Sequence, residues 1–435
     1  MDVSGGALGG EPQAQHSRRP APGQTRALPR RPSRQYTGAM HSPTLCPDVA
    51  VLGGGAAGLW ALARLRAQGH SVLLFSAGAL GDGQSVLAQG ILHAGVKYAL
   101  AGDDGAERSL AAMPAAWRDC LAGRGAVDLR ACRLLSEHMY LFAPPGPAGR
   151  LRGAAAGALL RGRVQRLGTA QVPPALRTAG FRSALYRLDE AVLDVGSLLQ
   201  ALASPHRQHI YHLPAKGARL QRRDGLAQLQ LPGCRVRPRL LLLAAGAGNA
   251  DLLAQLGDRE TAMQRRPLQQ VVLDPGIDLP LYGHCLGSGR RPRFTVTSHR
   301  DAAGRTLWYL GGELAERGAQ MSPAQLQLHA RAELDEVFPG LQPDPARLRC
   351  VPAQRAEARQ RDGARPAGAY LEAVHGVANA LVAWPTKLAL CPDLGERLAR
   401  ALRRRGIAPG PQPDPAPLRT LEQPQIARPP WERTA

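Results

Sequence analysis

One stretch limits the fold more than any other: DVAVLGGGAAGLWALARLRAQGHSVLLFS, from Asp48 to Ser76. A short β run, Asp48 to Leu52, meets a glycine cluster and then a segment of helical period. Gly69 ends that helix, and SVLLF reads as a second strand. This is a βαβ unit. Gly53, Gly55 and Gly58 spell GxGxxG between the strand and the helix. The first glycine permits a tight turn, and the second lets the backbone approach a pyrophosphate. The third allows close helix–strand packing, with the phosphates at the positive helix N-terminus. With both strands and the helix in place, the expected ligand is a dinucleotide, held by Gly53, Gly55, Ala57 and Gly58. The position closing the second strand usually carries a carboxylate for the adenosine ribose. Here it is Ser76, whose hydroxyl makes a weaker hydrogen bond.

The rest of the chain surrounds this unit with a mixed α/β, α+β pattern. Residues 1–45 are rich in Pro, Gly and Arg without apolar periodicity and read as a disordered tail. Met40, just before the first strand, is an alternative start for the folded protein. Residues 46–140 read as the first part of a discontinuous dinucleotide-binding domain, including a helix over 104–122 with Pro114 in its middle. Residues 141–185 read as loops and a crossover, and residues 186–260 return to the first domain. There RPRLLLLAAGAGNADLL fits a buried parallel strand running into glycines and a helix. Residues 261–350 look different: RPLQQVVL, PRFTVTSH and TLWYLGG are β runs separated by turn residues, implying a mainly antiparallel substrate domain. Ser322 is placed to cap a helix in SPAQLQLHARAELDEVF. Residues 351–406 complete the first domain, and 407–435 form a Pro-rich, loosely held tail.

Charge is ambiguous. The net charge of +21 suggests an anionic partner, yet 52 of the 55 basic residues are arginine and no nucleic-acid reader motif accompanies them. Nucleic acid is therefore not the expected partner; an anionic small molecule or a membrane surface accounts for the charge as well. The seven cysteines are dispersed with no CxxC, which argues against a disulfide framework and a zinc site and for a reducing, cytoplasmic setting. Peripheral contact with the inner face of a membrane stays open. No apolar run reaches the length of a membrane span.

Only Lys97, Lys216 and Lys387 are lysines. Lysine and arginine are not interchangeable where a compact charge or a shiftable pKa is needed. The two segments holding Lys97 and Lys387 thus attract notice: QGILHAGVKYAL (89–100) and AWPTKLALCPDLGERLARAL (383–402). In the first, His93, Lys97 and Tyr98 stand among glycine and aliphatic residues.

These segments resemble flavoproteins of the D-amino-acid-oxidase-like superfamily, most closely the glycerol-3-phosphate dehydrogenase and L-2-hydroxyglutarate dehydrogenase branches. Leu92, His93, Ala94, Gly95 and Tyr98 match the pattern those branches place beside the flavin ring, and Lys387-Leu388-Ala389 stands where they carry lysine-leucine-threonine. The resemblance implies FAD as cofactor, with Ser76, Ser85, Gln89, Gly90, Gly246, Trp384, Lys387 and Leu388 joining the glycines around it. It implies an FAD-dependent oxidoreductase, dehydrogenase or oxidase, passing a hydride from a CH–OH carbon to flavin N5. The small, anionic substrate would be a 2-hydroxy acid or resemble glycerol phosphate. His93 is the expected base, with Lys387 at the flavin edge and His284 as a further catalytic candidate. His93, Tyr98 and Arg355 are the expected substrate contacts, Arg355 or His284 holding the anionic group. Oxidation of an amino acid or secondary amine on the same fold is the alternative, and a non-catalytic flavin- or nucleic-acid-associated protein a further one. Oxygen, a quinone or a protein could each take the electrons.

Overall fold

The computed structural model describes residues 42–93, 110–159, 164–288, 291–341, 343–364 and 366–433. A six-stranded sheet is gathered from four separated parts of the chain. Its order is Tyr370–Ala373, Ala380–Trp384, Leu240–Leu243, Val49–Leu52, Val72–Ser76 and Ile210–His212. All neighbours run parallel except the Tyr370–Ala373 edge strand. Its central strands are apolar on both faces because both faces are covered. Val49, Val51, Leu240 and Leu242 pack under the helices Ala56–Ala67, Val195–Ala203 and Cys391–Arg404. Ala50, Leu52, Leu241 and Leu243 point the other way, onto a four-stranded sheet that contains Leu226–Leu231. Trp60 and Trp117 meet edge to face, 4.9 Å between centroids, and lock the helical layer.

An eight-stranded sheet forms the second body of structure. Its order is Arg349–Ala358, Met263–Leu273, Thr306–Gly311, Pro292–Arg300, Gly283–Leu286, Met139–Phe142, Leu185–Leu188 and Val164–Arg166. Only the Gly283–Leu286 and Met139–Phe142 pair is parallel. The helix Pro323–Val337 covers one face over a cluster of Phe142, Phe181, Phe294, Phe338 and Trp308. Ser322 caps this helix in a reciprocal capping box with Gln325.

Several local readings change. Pro114 lies in the first turn of a helix spanning Met113–Leu121, where its missing N–H does no harm, rather than in the middle of a longer one; residues 104–109 lie outside the described residues, as does nearly all of 1–45. Residues read as loops contain the helix Pro147–Leu159 and the strand Val164–Arg166. The alanine content of PAGRLRGAAAGAL supports a helix without a clear apolar stripe. The strands Met139–Phe142 and Arg349–Ala358 straddle the boundaries read at 140 and 350, partly within the dinucleotide-binding part, and both pair into the eight-stranded sheet.

The Pro-rich C-terminal stretch is not loosely held. Its backbone hydrogen-bonds the core: Leu80 N–H donates to Gln425 C=O (2.7 Å), Ala427 N–H to Leu80 C=O (2.9 Å) and His212 N–H to Glu422 C=O (2.7 Å). Trp431 then stacks on His299 at 4.0 Å. Proline removes a donor but leaves a carbonyl to accept, so a Pro-rich segment can still dock through its neighbours.

Candidate active site

A cavity of about 1440 Å³ opens where the carboxyl ends of the parallel strands meet the eight-stranded sheet. Ligands bind open α/β sheets at this end. The volume exceeds the roughly 300–1,000 Å³ of pockets for drug-sized ligands.

The glycine turn forms one wall. Gly53 has φ of +124°, and a side chain there would strike the Ala244 carbonyl. Gly55 is the N-cap of the helix Ala56–Ala67 and makes no side-chain cap bond. Gly53, Gly54, Gly55 and Ala57 face the cavity, whereas Gly58 does not; a side chain at Gly58 would collide with the Gly53 carbonyl. Gly53 thus sits in a tight turn and Gly58 in close backbone packing, positions that a side chain would disturb. Ser76 lines the cavity and donates to Gly78 C=O at 2.9 Å. Ser85 Oγ accepts from Ala56 N–H at 2.9 Å, in the first turn of that helix.

The opposite walls come from distant segments. Gln89 donates from Nε2 to Tyr309 C=O (2.9 Å) and Thr295 C=O (3.2 Å), tying the loop after the βαβ unit to the eight-stranded sheet. Gly90 has φ of +75°, and a side chain there would meet Leu193 C=O. Trp384 donates from Nε1 to Gly246 C=O (3.0 Å), and both residues line the cavity. Lys387 and Leu388 line it too, just before the N-terminus of the helix Cys391–Arg404, with Pro392 in its first turn. Lys387 Nζ donates to Ala367 C=O at 3.3 Å. Arg355, half-buried on the Arg349–Ala358 strand, contributes a positive charge to the wall. Arg291, which sequence reasoning passed over, adds another and pairs with Glu316.

His93 lines the same cavity, with 12% of its side chain exposed. Its Nδ1 lies 3.3 Å from Oε2 of Glu190, a carboxylate with no exposed surface. The same oxygen lies 3.5 Å from Nε2 of His284, whose Nδ1 is 2.9 Å from Thr295 Oγ1. The two imidazoles stack with centroids 5.8 Å apart. Burial alone would push the Glu190 carboxyl up. Hydrogen bonds from His284 and His93, and the attraction of their charge, instead hold it well below the usual carboxylate range.

The structure thus gathers His93, Arg355, Lys387 and the glycine turn around one cavity. His284 is buried behind His93 and is not part of the wall, so direct contact with an anionic substrate is not what its position offers. Tyr98 lies outside the described residues. Glu190 went unnoticed in the sequence. It sits in LDEAVLDV between two strands, at no spacing that marks acid–base chemistry; a carboxylate flanked by apolar runs was the one available signal.

The glycine turn facing the cavity, the helix N-terminus behind it and the volume fit a dinucleotide. A family model described as FAD dependent oxidoreductase (DAO) matches residues 48–386. The chain belongs to this family, and FAD is its cofactor. A Pseudomonas aeruginosa protein described as a probable FAD-dependent oxidoreductase is 43% identical over 393 residues, covering 89% of this chain and 98% of the relative. The crystal structure of that Pseudomonas enzyme superposes with a TM-score of 0.76 at 37% identity, over 89% of this chain and 98% of its own. Glycine oxidase from Geobacillus kaustophilus has a TM-score of 0.57 at 18% identity, over 88% and 99% of the two chains. FAD-bound L-α-glycerophosphate oxidase from Mycoplasma pneumoniae gives 0.58 at 14%, over 82% and 95%. At such identities these last two share the fold. The chain is an FAD-dependent oxidoreductase. No helix among the described residues is long and apolar enough to cross a membrane.

Proposed function

We propose that the chain oxidises the CH–OH group of a small anionic substrate, a 2-hydroxy acid or a glycerol-phosphate-like molecule. It would stand with the glycerol-3-phosphate and L-2-hydroxyglutarate dehydrogenase branches of the family. The observation that carries this reading is an imidazole on the cavity wall, His93, backed by a fully buried carboxylate, Glu190. An alcohol must lose its hydroxyl proton as the C–H hydrogen leaves, because the product is a carbonyl. A neutral amine already carries the lone pair that forms the new double bond and needs no base. A supported imidazole therefore has work to do in alcohol oxidation that oxidation of an amine arriving neutral does not require.

Bound FAD supplies the two-electron acceptor. The glycine turn would hold its pyrophosphate, Ser76 its ribose, and the Lys387–Leu388 segment its ring edge. His93 takes the hydroxyl proton at Nε2, since Glu190 accepts from Nδ1–H and leaves the lone pair on the other nitrogen. Arg355 and Arg291 bring positive charge to the wall where a carboxylate or phosphate would dock.

An anaerobic screen following flavin bleaching tests this. Hydroxy acids or glycerol phosphate should bleach the protein and matched amino acids should not. Bleaching by amines alone would replace this reading with amine oxidation.

A further inference from the structure

We propose that Glu190 is a positioning residue: its single oxygen Oε2 accepts from both His93 and His284, fixes the tautomer of each, and stabilises the proton that His93 takes from substrate. This rests on the reading of His93 as the base.

The geometry is specific. A carboxylate has only acceptors, so each imidazole nitrogen facing Oε2, at 3.3 Å from His93 Nδ1 and 3.5 Å from His284 Nε2, must carry a hydrogen. His284 Nδ1 is then an acceptor, and Thr295 Oγ1 at 2.9 Å is placed to donate to it. Thr295 comes from the neighbouring strand Pro292–Arg300 and also lines the cavity. The order runs Thr295 O–H to His284, His284 N–H facing Glu190 Oε2 at 3.5 Å, and His93 N–H to Glu190. Every member has one consistent proton assignment, and His93 presents Nε2 as a base. The stacking of the two rings, 24° from parallel, holds His93 from behind. His284 thereby gains a role that its burial otherwise denies it.

Charge completes the argument. With both imidazoles neutral the cluster carries one buried negative charge. A proton arriving on His93 from substrate makes the cluster neutral, so the buried carboxylate strengthens His93 as a base. Among the described residues, the titratable groups that act on Glu190 include His284, from the Gly283–Leu286 strand, and His93, from the loop after the βαβ unit.

The test uses oxidised, substrate-free holoprotein labelled with ¹⁵N-histidine, with His93 assigned by its loss in His93→Ala. In the parent, His93 should be the Nδ1–H tautomer and His284 the Nε2–H tautomer at neutral pH. In Glu190→Gln the His93 titration should move to lower pH by about 1–3 pH units. Stopped-flow flavin reduction should fall at least about 10-fold, a part of the roughly 10²–10⁴-fold a positioned base supplies, with its acidic limb moving the same way and FAD content unchanged. Glu190→Asp, which keeps the charge, should restore the limb toward the parental pH. The opposite tautomers in the parent would overturn the proposal even if Glu190→Gln does not fold. So would an unmoved His93 titration, or a stoichiometric divalent ion kept by the parent and lost in the variant. The tautomer measurement needs no substrate, so it can fail while alcohol oxidation stands, and hold while the substrate proves to be an amine.

Discussion

Trp431→Ala should destabilise the protein at pH 8 and barely at pH 5. The Trp431 ring stacks on His299 at 4.0 Å and meets Tyr309 edge-on at 5.8 Å, closing the sheet surface at that point. His299 beneath it is 5% exposed, and burial pushes its pKa down to about 4 against a smaller opposing pull from Asp194. Because the folded form binds that proton less readily than the unfolded chain, stability is intact above about pH 6.5 and is lost as pH falls toward 4. At about 1.4 kcal/mol per pH unit, the buried imidazole costs the parent about 2 kcal/mol at pH 5 and almost nothing at pH 8. The half-buried indole covers about 100 Å² of apolar surface, worth about 2.5 kcal/mol. Removing it sacrifices that burial at both pH values but also lets water reach His299 and lifts the acid penalty. Urea unfolding followed by far-ultraviolet circular dichroism should therefore show a loss of about 2.5 kcal/mol at pH 8 and about 0.5 kcal/mol at pH 5. An equal loss at both pH values would refute the link between the C-terminal stretch and the buried histidine.

Gly55→Trp should yield a folded but colourless protein, because among the described residues, chain neighbours aside, an added carbon meets Ser85 Oγ alone, at 3.1 Å, and the rest of the ring must enter the cavity; a fully yellow variant would place the cofactor elsewhere. Tyr309→Phe should cost about 1–3 kcal/mol in urea unfolding, because Gln270 Oε1, 2.7 Å from the hydroxyl and buried, loses its donor. A change below about 0.3 kcal/mol would show that another group takes over that oxygen.

How much of this was legible beforehand follows from how local each signal is. The βαβ unit was readable, its strands to within a residue, because the strand, the glycine turn and the helix follow one another along the chain and Gly58 packs on the Gly53 carbonyl five positions away. The antiparallel sheet was readable from short β runs and turn residues. Which strands complete it was not: Met139–Phe142 and Arg349–Ala358 join through pairings across more than 75 residues, which no local pattern encodes. Glu190 carried only a faint signal for the same reason. Its meaning comes from His93, 97 positions before it, and His284, 94 positions after, meeting at one oxygen. The C-terminal stretch misled because proline content signals disorder on average, while its docking depends on carbonyls aimed at Leu80 and His212.

Stopped-flow flavin reduction across pH, for the parent and His93→Ala with an anaerobic hydroxyl substrate, addresses the central claim most directly. If His93 accepts the hydroxyl proton, the variant should reduce its flavin about 10²–10⁴-fold more slowly with FAD still bound. The parent's rate should fall on the acidic side, where the imidazole is protonated, and the variant should lack that limb. A variant that keeps both the acidic limb and most of the parental rate would contradict the account and remove His93 from the role of base.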